Sequence, residues 1–162
     1  MNQEEIFQLL DSQNIDYEVS HHQAVYNMAE LESIDLPYPE YDAKNLFIRD
    51  DKKRNYYLLS IKGDKRIDLK KFRQDQGTRA LSFASDKDLY HYLELTPGSV
   101  SPFGLLNDAD KKVHFYIDKD FVDSDSLIGC HPNDNTATVW LKTSDLIQLI
   151  EDHGNPVHAF TV

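Results

Sequence analysis

Three stretches of this chain gather residue types able to hold or cleave a polar substrate. Asp42-Ala43-Lys44-Asn45-Leu46-Phe47 sets a lysine and an amide at the entrance to an apolar run. Residues 96–108 form a Gly/Pro-rich loop that carries Ser101 and Phe103, and Gly129-Cys130-His131-Pro132 leads into Asn133-Asp134-Asn135-Thr136-Ala137-Thr138. Taken singly, each has a plain structural reading: a solvated strand lysine, a proline-stiffened turn, and a His-Pro corner.

Cys130-His131 places a thiol beside a base, the pair that nucleophilic catalysis uses. If Cys130 ends a strand, however, the two side chains point to opposite faces and do not form the bond that activates a thiolate. A lone cysteine after Leu127 and Ile128 reads instead as a small core residue. No Walker loop, GxGxxG, GxSxG or paired-cysteine motif occurs in the chain. The seven histidines show neither HExxH nor HxxxH spacing, so neither a metal nor another cofactor is expected.

The elements that must position these residues can be read from periodicity and punctuation. Apolar positions 6, 9 and 10 predict a helix from Asn2 to Asn14, and Tyr17 to His22 reads as a short strand. Asn27 with Glu30 marks the start of a helix reaching Ile34. Strands are expected at Lys44–Arg49, Tyr56–Ile61 and Ala80–Ala84, with a helical turn around Lys70–Gln74. Ser85 and Asp88 cap a helix carrying Leu89, Tyr92 and Leu93. Val113, Phe115 and Ile117 alternate as a half-buried strand. Leu127–Cys130 and Thr136–Leu141 bracket the His-Pro corner, and Asp145–Asp152 is an amphipathic helix closed by Gly154. Strands and helices mix without strict βαβ alternation, which predicts an α+β fold.

A chain of 162 residues rich in Tyr and Phe suits one domain over residues 1–162, with a real core. Its acidic N-terminus lacks the features of a signal peptide, no stretch is long and apolar enough to span a bilayer, and its single cysteine fits a reducing compartment. A cytoplasmic protein without a membrane or DNA partner is expected. Charge is segregated: twelve Lys and Arg stand against five Asp between Lys44 and Arg79, within a chain of net charge −11. That pattern fits a basic face for phosphate on an otherwise acidic surface, or a set of solvated lysines.

Together and in this order, the blocks resemble the YbaK-type aminoacyl-tRNA deacylase family, and most of all its freestanding prolyl-tRNA editing branch. Those blocks are the strand ending in His22, Lys44-Asn45-Leu46-Phe47, Leu81-Ser82-Phe83-Ala84-Ser85, the loop from Leu95 through Asn107-Asp108, and the segment from His131 through Thr138. The resemblance implies a mixed, partly closed β-sheet flanked by helices, with the acceptor end of a tRNA in a surface pocket. It places Lys44 and Asn45 at that pocket, gives His131 the terminal adenosine, and has Gly129 and Pro132 shape the loop. His22, Ser101, Phe103 and Asn135 are implied in substrate binding, with Lys44 and His131 the residues on which catalysis depends. The implied reaction is hydrolysis of alanine from mischarged tRNA(Pro), with prolyl-tRNA synthetase a further partner. Cys- or Ser-tRNA hydrolysis and non-catalytic tRNA binding are the alternatives.

An aminoacyl ester is already activated, so positioning water and stabilising developing negative charge suffice. Lys44 fits an anchor for a phosphate, and His131 fits an orienting group for the ribose hydroxyls.

Overall fold

A computed structural model describes residues 1–24 and 35–162; the helix expected from Asn27 to Ile34 lies outside them. Helix α1 (Gln3–Ser12) begins where Asn2 accepts the N–H of Glu5 while the Glu5 carboxylate accepts that of Asn2. Two N–H groups that a helix start leaves open are thereby satisfied. Ile6 and Leu10, one turn apart, fix its inner face.

The strands of the described residues form two sheets. The smaller has β1 (Tyr17–His21) and β6 (Leu127–Cys130) on either side of β7 (Ala137–Lys142), all antiparallel. The larger contains β2 (Ala43–Asp50), β3 (Tyr56–Lys62), β4 (Leu81–Phe83), β5 (Val113–Asp118) and β8 (Val157–Phe160), in the order β4-β2-β3-β5-β8. Its first three strands pair antiparallel, and β3, β5 and β8 run parallel. Helices α2 (Leu69–Gln76), α3 (Asp86–Leu93), α4 (Lys119–Ser124) and α5 (Thr143–His153) complete a mixed α+β architecture.

The one partly closed sheet implied by the family resemblance is replaced by two open ones. They meet at an isolated parallel bridge between Asp42 and Gly129. Pro132 follows two residues after β6 and has no N–H, and the β6–β7 ladder ends before it, at Cys130 and Val139.

Two cores flank the larger sheet. Phe47, Leu58 and Phe115 face the first, shared with α1, Val139 and Leu146. Ile48, Leu59 and Ile61 face the second, where Phe72 of α2 packs with Tyr116 and Phe160. The half-buried strand expected at Val113–Ile117 is therefore covered on both sides, and within β5 only His114 is partly open. The Gly/Pro-rich loop also tightens into a 3₁₀ turn, Pro102–Asn107, whose N-cap is Ser101. Neither α4 nor β8 was expected; both are short, with too few apolar positions to show a period.

Candidate active site

The three chemically suggestive stretches converge where the sheets meet. The backbone of Asp42, just before β2, bridges Gly129 near the end of β6. Ser101 donates its hydroxyl hydrogen to the carbonyl of His131 and accepts the N–H of Phe103 at 3.2 Å. Residues from all three segments are thus tied to one junction.

His131 leaves β6 into a tight corner. Asp134 accepts the N–H and the hydroxyl of Thr136 at 2.8 and 2.6 Å, and Asn133 adopts φ 60°, a left-handed conformation that asparagine tolerates. Across this corner the Nδ1 of His131 donates to the carbonyl of Ala137 at 2.9 Å. Burial lowers the pKa of His131, outweighing the upward pull of that bond and of Asp134, while neighbouring His22 lowers it further. The imidazole is neutral near pH 7, with its proton on Nδ1 and a lone pair on Nε2.

His22 stands beside it, the two rings 6.1 Å apart and tilted by 57°. Its Nδ1 donates to the Gln23 carbonyl at 2.7 Å, and its Nε2 meets the Thr138 hydroxyl at 2.9 Å. Since β1 pairs with β7, the register that sets Ser20 opposite Thr138 carries His22 to this position.

Lys44 and Asn45 separate. Neighbours on a strand project from opposite faces; Asn45 lies opposite Ser60 on the first-core face, whereas Lys44 lies opposite Ile61 on the second-core face. The Ser60 hydroxyl donates to the Asn45 amide oxygen. No hydrogen bond or ion pair joins Lys44 to the two histidines among the described residues. Pro132 and Gly129 are buried, Asn135 is half-buried in the corner, and Phe103 packs in the first core. Ser101 is fully buried as well, so its hydroxyl and the Phe103 ring hold the loop from inside.

Ser60, Thr138 and the Asp42 carboxylate join the site without a signal of their own in the sequence. A serine inside an apolar strand gives no signal until the Asn45 register is known. The Thr138 hydroxyl acquires meaning only from the β1–β7 pairing. Asp42 is 8% exposed, and no hydrogen bond or ion pair reaches its carboxylate among the described residues. Burial alone pushes its pKa up to about 7. Beside it, Cys130 is 2% exposed within the first core. Burial, aided by the Asp42 charge, pushes the thiol well above its ordinary range. A thiol kept protonated in this way is a poor nucleophile.

The basic segment divides. Lys71 pairs with Asp75, Arg79 with Asp51, and Lys65 with Asp118 and Asp120. Lys52, Lys53, Arg54, Arg66, Lys70 and Arg73 remain exposed without an ion pair among the described residues. Lys70 and Arg73 line an open cleft of about 470 Å³ together with Gln74, Gly77 and Thr78. Among the described residues, no three His, Cys, Asp or Glu side chains gather as a metal site. No helix there is long and apolar enough to cross a membrane.

Residues 22–149 match the model of the aminoacyl-tRNA editing domain, a span that runs from His22 past His131 and contains all three converging segments. The chain belongs to the aminoacyl-tRNA editing family. It is an aminoacyl-tRNA deacylase, a hydrolase with tRNA as its substrate. Over 150 residues it is 44% identical to the prolyl-tRNA editing protein ProX of Acetoanaerobium sticklandii, covering 93% of this chain and 91% of that one. A mouse relative, prolyl-tRNA synthetase associated domain-containing protein 1, is 28% identical over 158 residues, covering 93% and 90% of the two chains. In fold the chain is similar to a solved structure of a candidate trans-editing enzyme for prolyl tRNA synthetase. The TM-score is 0.68 at 18% identity, covering 100% of this chain and 98% of that one.

Proposed function

We propose that residues 1–162 act as one editing domain that hydrolyses the ester of alanine mis-attached to tRNA(Pro), in trans and in the cytoplasm. The observation that carries this reading is the convergence of the Asp42–Asn45, Ser101 and Gly129–Thr138 segments at one junction, in a chain 44% identical to a prolyl-tRNA editing protein.

In this reading the terminal adenosine lies against His22 and His131. The Nε2 lone pair of His131 accepts a hydrogen bond from a ribose hydroxyl and orients it toward the ester. Water attacks the carbonyl with assistance from that hydroxyl, and no protein nucleophile takes part. Asn45, held by Ser60, presents its amide at the same junction, while Gly129, Pro132, Phe103, Ser101 and Asn135 shape the walls. Lys44 projects from the other face of β2 and serves as a point charge for a backbone phosphate of the acceptor end. The exposed cations from Lys52 to Arg73 contact the tRNA body, so binding weakens as salt rises. Prolyl-tRNA synthetase is a second partner, a role supported by relatives named for association with it.

Release of labelled amino acid from tRNA(Pro) charged with alanine, cysteine or serine tests the substrate. Alanine is expected to leave fastest. Preferential loss of cysteine or serine would reassign the pocket, and binding of all three without hydrolysis would make the protein a tRNA-binding module.

A further inference from the structure

Asp42 occupies an unusual position for a carboxylate. It lies two residues before Lys44, and its backbone bridges Gly129, two residues before His131. More than nine-tenths of the residue is buried, and no donor or cation of the described protein compensates it. Among the described residues, neither lysine of the adjoining β2–β3 ladder forms an ion pair with it. Lys62, opposite Ala43 in the ladder, directs its ammonium over the rings of Tyr41 and Phe121 at 5.8 and 5.6 Å. Lys44 makes no ion pair among the described residues.

A largely buried carboxylate with no partner among the described residues carries a desolvation cost that a ligand cation can relieve. Every aminoacyl ester carries such a cation, an α-ammonium on the carbon next to the reacting carbonyl. We propose that Asp42 receives the α-ammonium of the aminoacyl group, and so restricts the substrate to esters with a free amine. This rests on the deacylase reading of the same junction and adds a substrate class to it. Aminoacyl-tRNAs with a charged amine are accepted, and N-acylated ones, peptidyl-tRNA among them, are refused. Alanine and proline both carry the charge, so Asp42 does not separate them.

Two stable amide analogues of a charged acceptor stem provide the test, one ending in an alanyl group and the other in a propionyl group that lacks only the ammonium. Titration calorimetry on the wild-type protein should give roughly 10- to 100-fold tighter binding of the alanyl form, the range set by one charge-assisted hydrogen bond. In Asp42→Asn the preference should shrink to about 2-fold or less, because a neutral amide lacks the charge that draws the ammonium. Asp42→Ser serves the same purpose should the asparagine variant not fold. Equal binding of the two analogues by the wild type, or an undiminished preference in a folded variant, would overturn the proposal. Turnover of alanyl-tRNA(Pro), measured alongside, keeps the two readings apart. Preference without turnover removes the deacylase and leaves the ammonium site, whereas turnover without preference removes the ammonium site alone.

Discussion

The indole of Trp140 fills the space that a Cβ on Gly129 would need: an added carbon would lie 2.3 Å from Cζ3 and 2.6 Å from Cε3. The two residues face each other across β6 and β7. Trp140 cannot easily move aside, because its Nε1 donates to Ser20 at 2.9 Å and its ring packs edge-on with Tyr38 at 5.4 Å. Gly129 therefore lets two strands and a large ring pass at the point where Asp42 joins the sheets.

Gly129→Ala should cost about 1–3 kcal/mol through overpacking against a rigid ring. Thermal unfolding would show the loss, and turnover should fall at temperatures where the variant is still folded, since Gly129 lies two residues before His131 at the junction. A variant as stable as the wild type would mean that the indole yields.

Cys130→Ser is expected to separate packing from chemistry. Placing a hydroxyl in the first core should cost about 1–2 kcal/mol, while hydrolysis by the folded variant stays close to that of the wild type. The native thiol should also resist alkylation, because burial keeps it protonated. An inactive but folded serine variant, with an acyl group trapped on the wild-type sulfur, would contradict this.

Much of the site was legible in residue order, because its three segments are short and locally punctuated. Lys44-Asn45 opens a strand, Ser101-Pro102 caps a turn, and His131-Pro132 ends one. What remained hidden depends on pairing between distant strands. That Asn45 meets Ser60 and Lys44 turns to the opposite face follows from the β2–β3 register. The His22–Thr138 contact likewise needs β1 laid on β7. In residue order Asp42 is one acid among many in an acidic chain, and only its burial at the junction distinguishes it. The two-sided cover of β5 was equally invisible, since alternation reports one face and says nothing of a helix packed on the other.

Asp42 gives a pH signature in stability. Its pKa is raised from an ordinary 3.8 to about 7 in the folded protein, so the folded state binds the extra proton between those values. Stability contributed by that proton is present at low pH and is lost as pH rises through 7. Asp42→Asn should thus stabilise the protein at pH 8.5, by up to about 4 kcal/mol, with little gain near pH 4. Unfolding curves at both pH values provide the check; an equal effect at the two would show that Asp42 is not desolvated.

His131 should govern the lower part of the acid limb of activity. Its neutral ring is the working form, and burial holds its pKa below the ordinary histidine value. On acidification turnover should fall first near 7, where Asp42 takes up its proton, and again below about 6.5, where His131 does. His131→Ala should lower turnover roughly 10- to 100-fold and remove the second fall while leaving the first. A second fall that persists in the variant belongs to another group.

Selective editing is tested most directly with two substrates that differ only in the attached amino acid. Purified protein at low concentration is mixed with tRNA(Pro) charged with alanine or with proline, and loss of the labelled ester is followed with time. Alanine should be released rapidly while prolyl-tRNA(Pro) decays at its spontaneous rate. Equal hydrolysis of the two, or of neither, would contradict it.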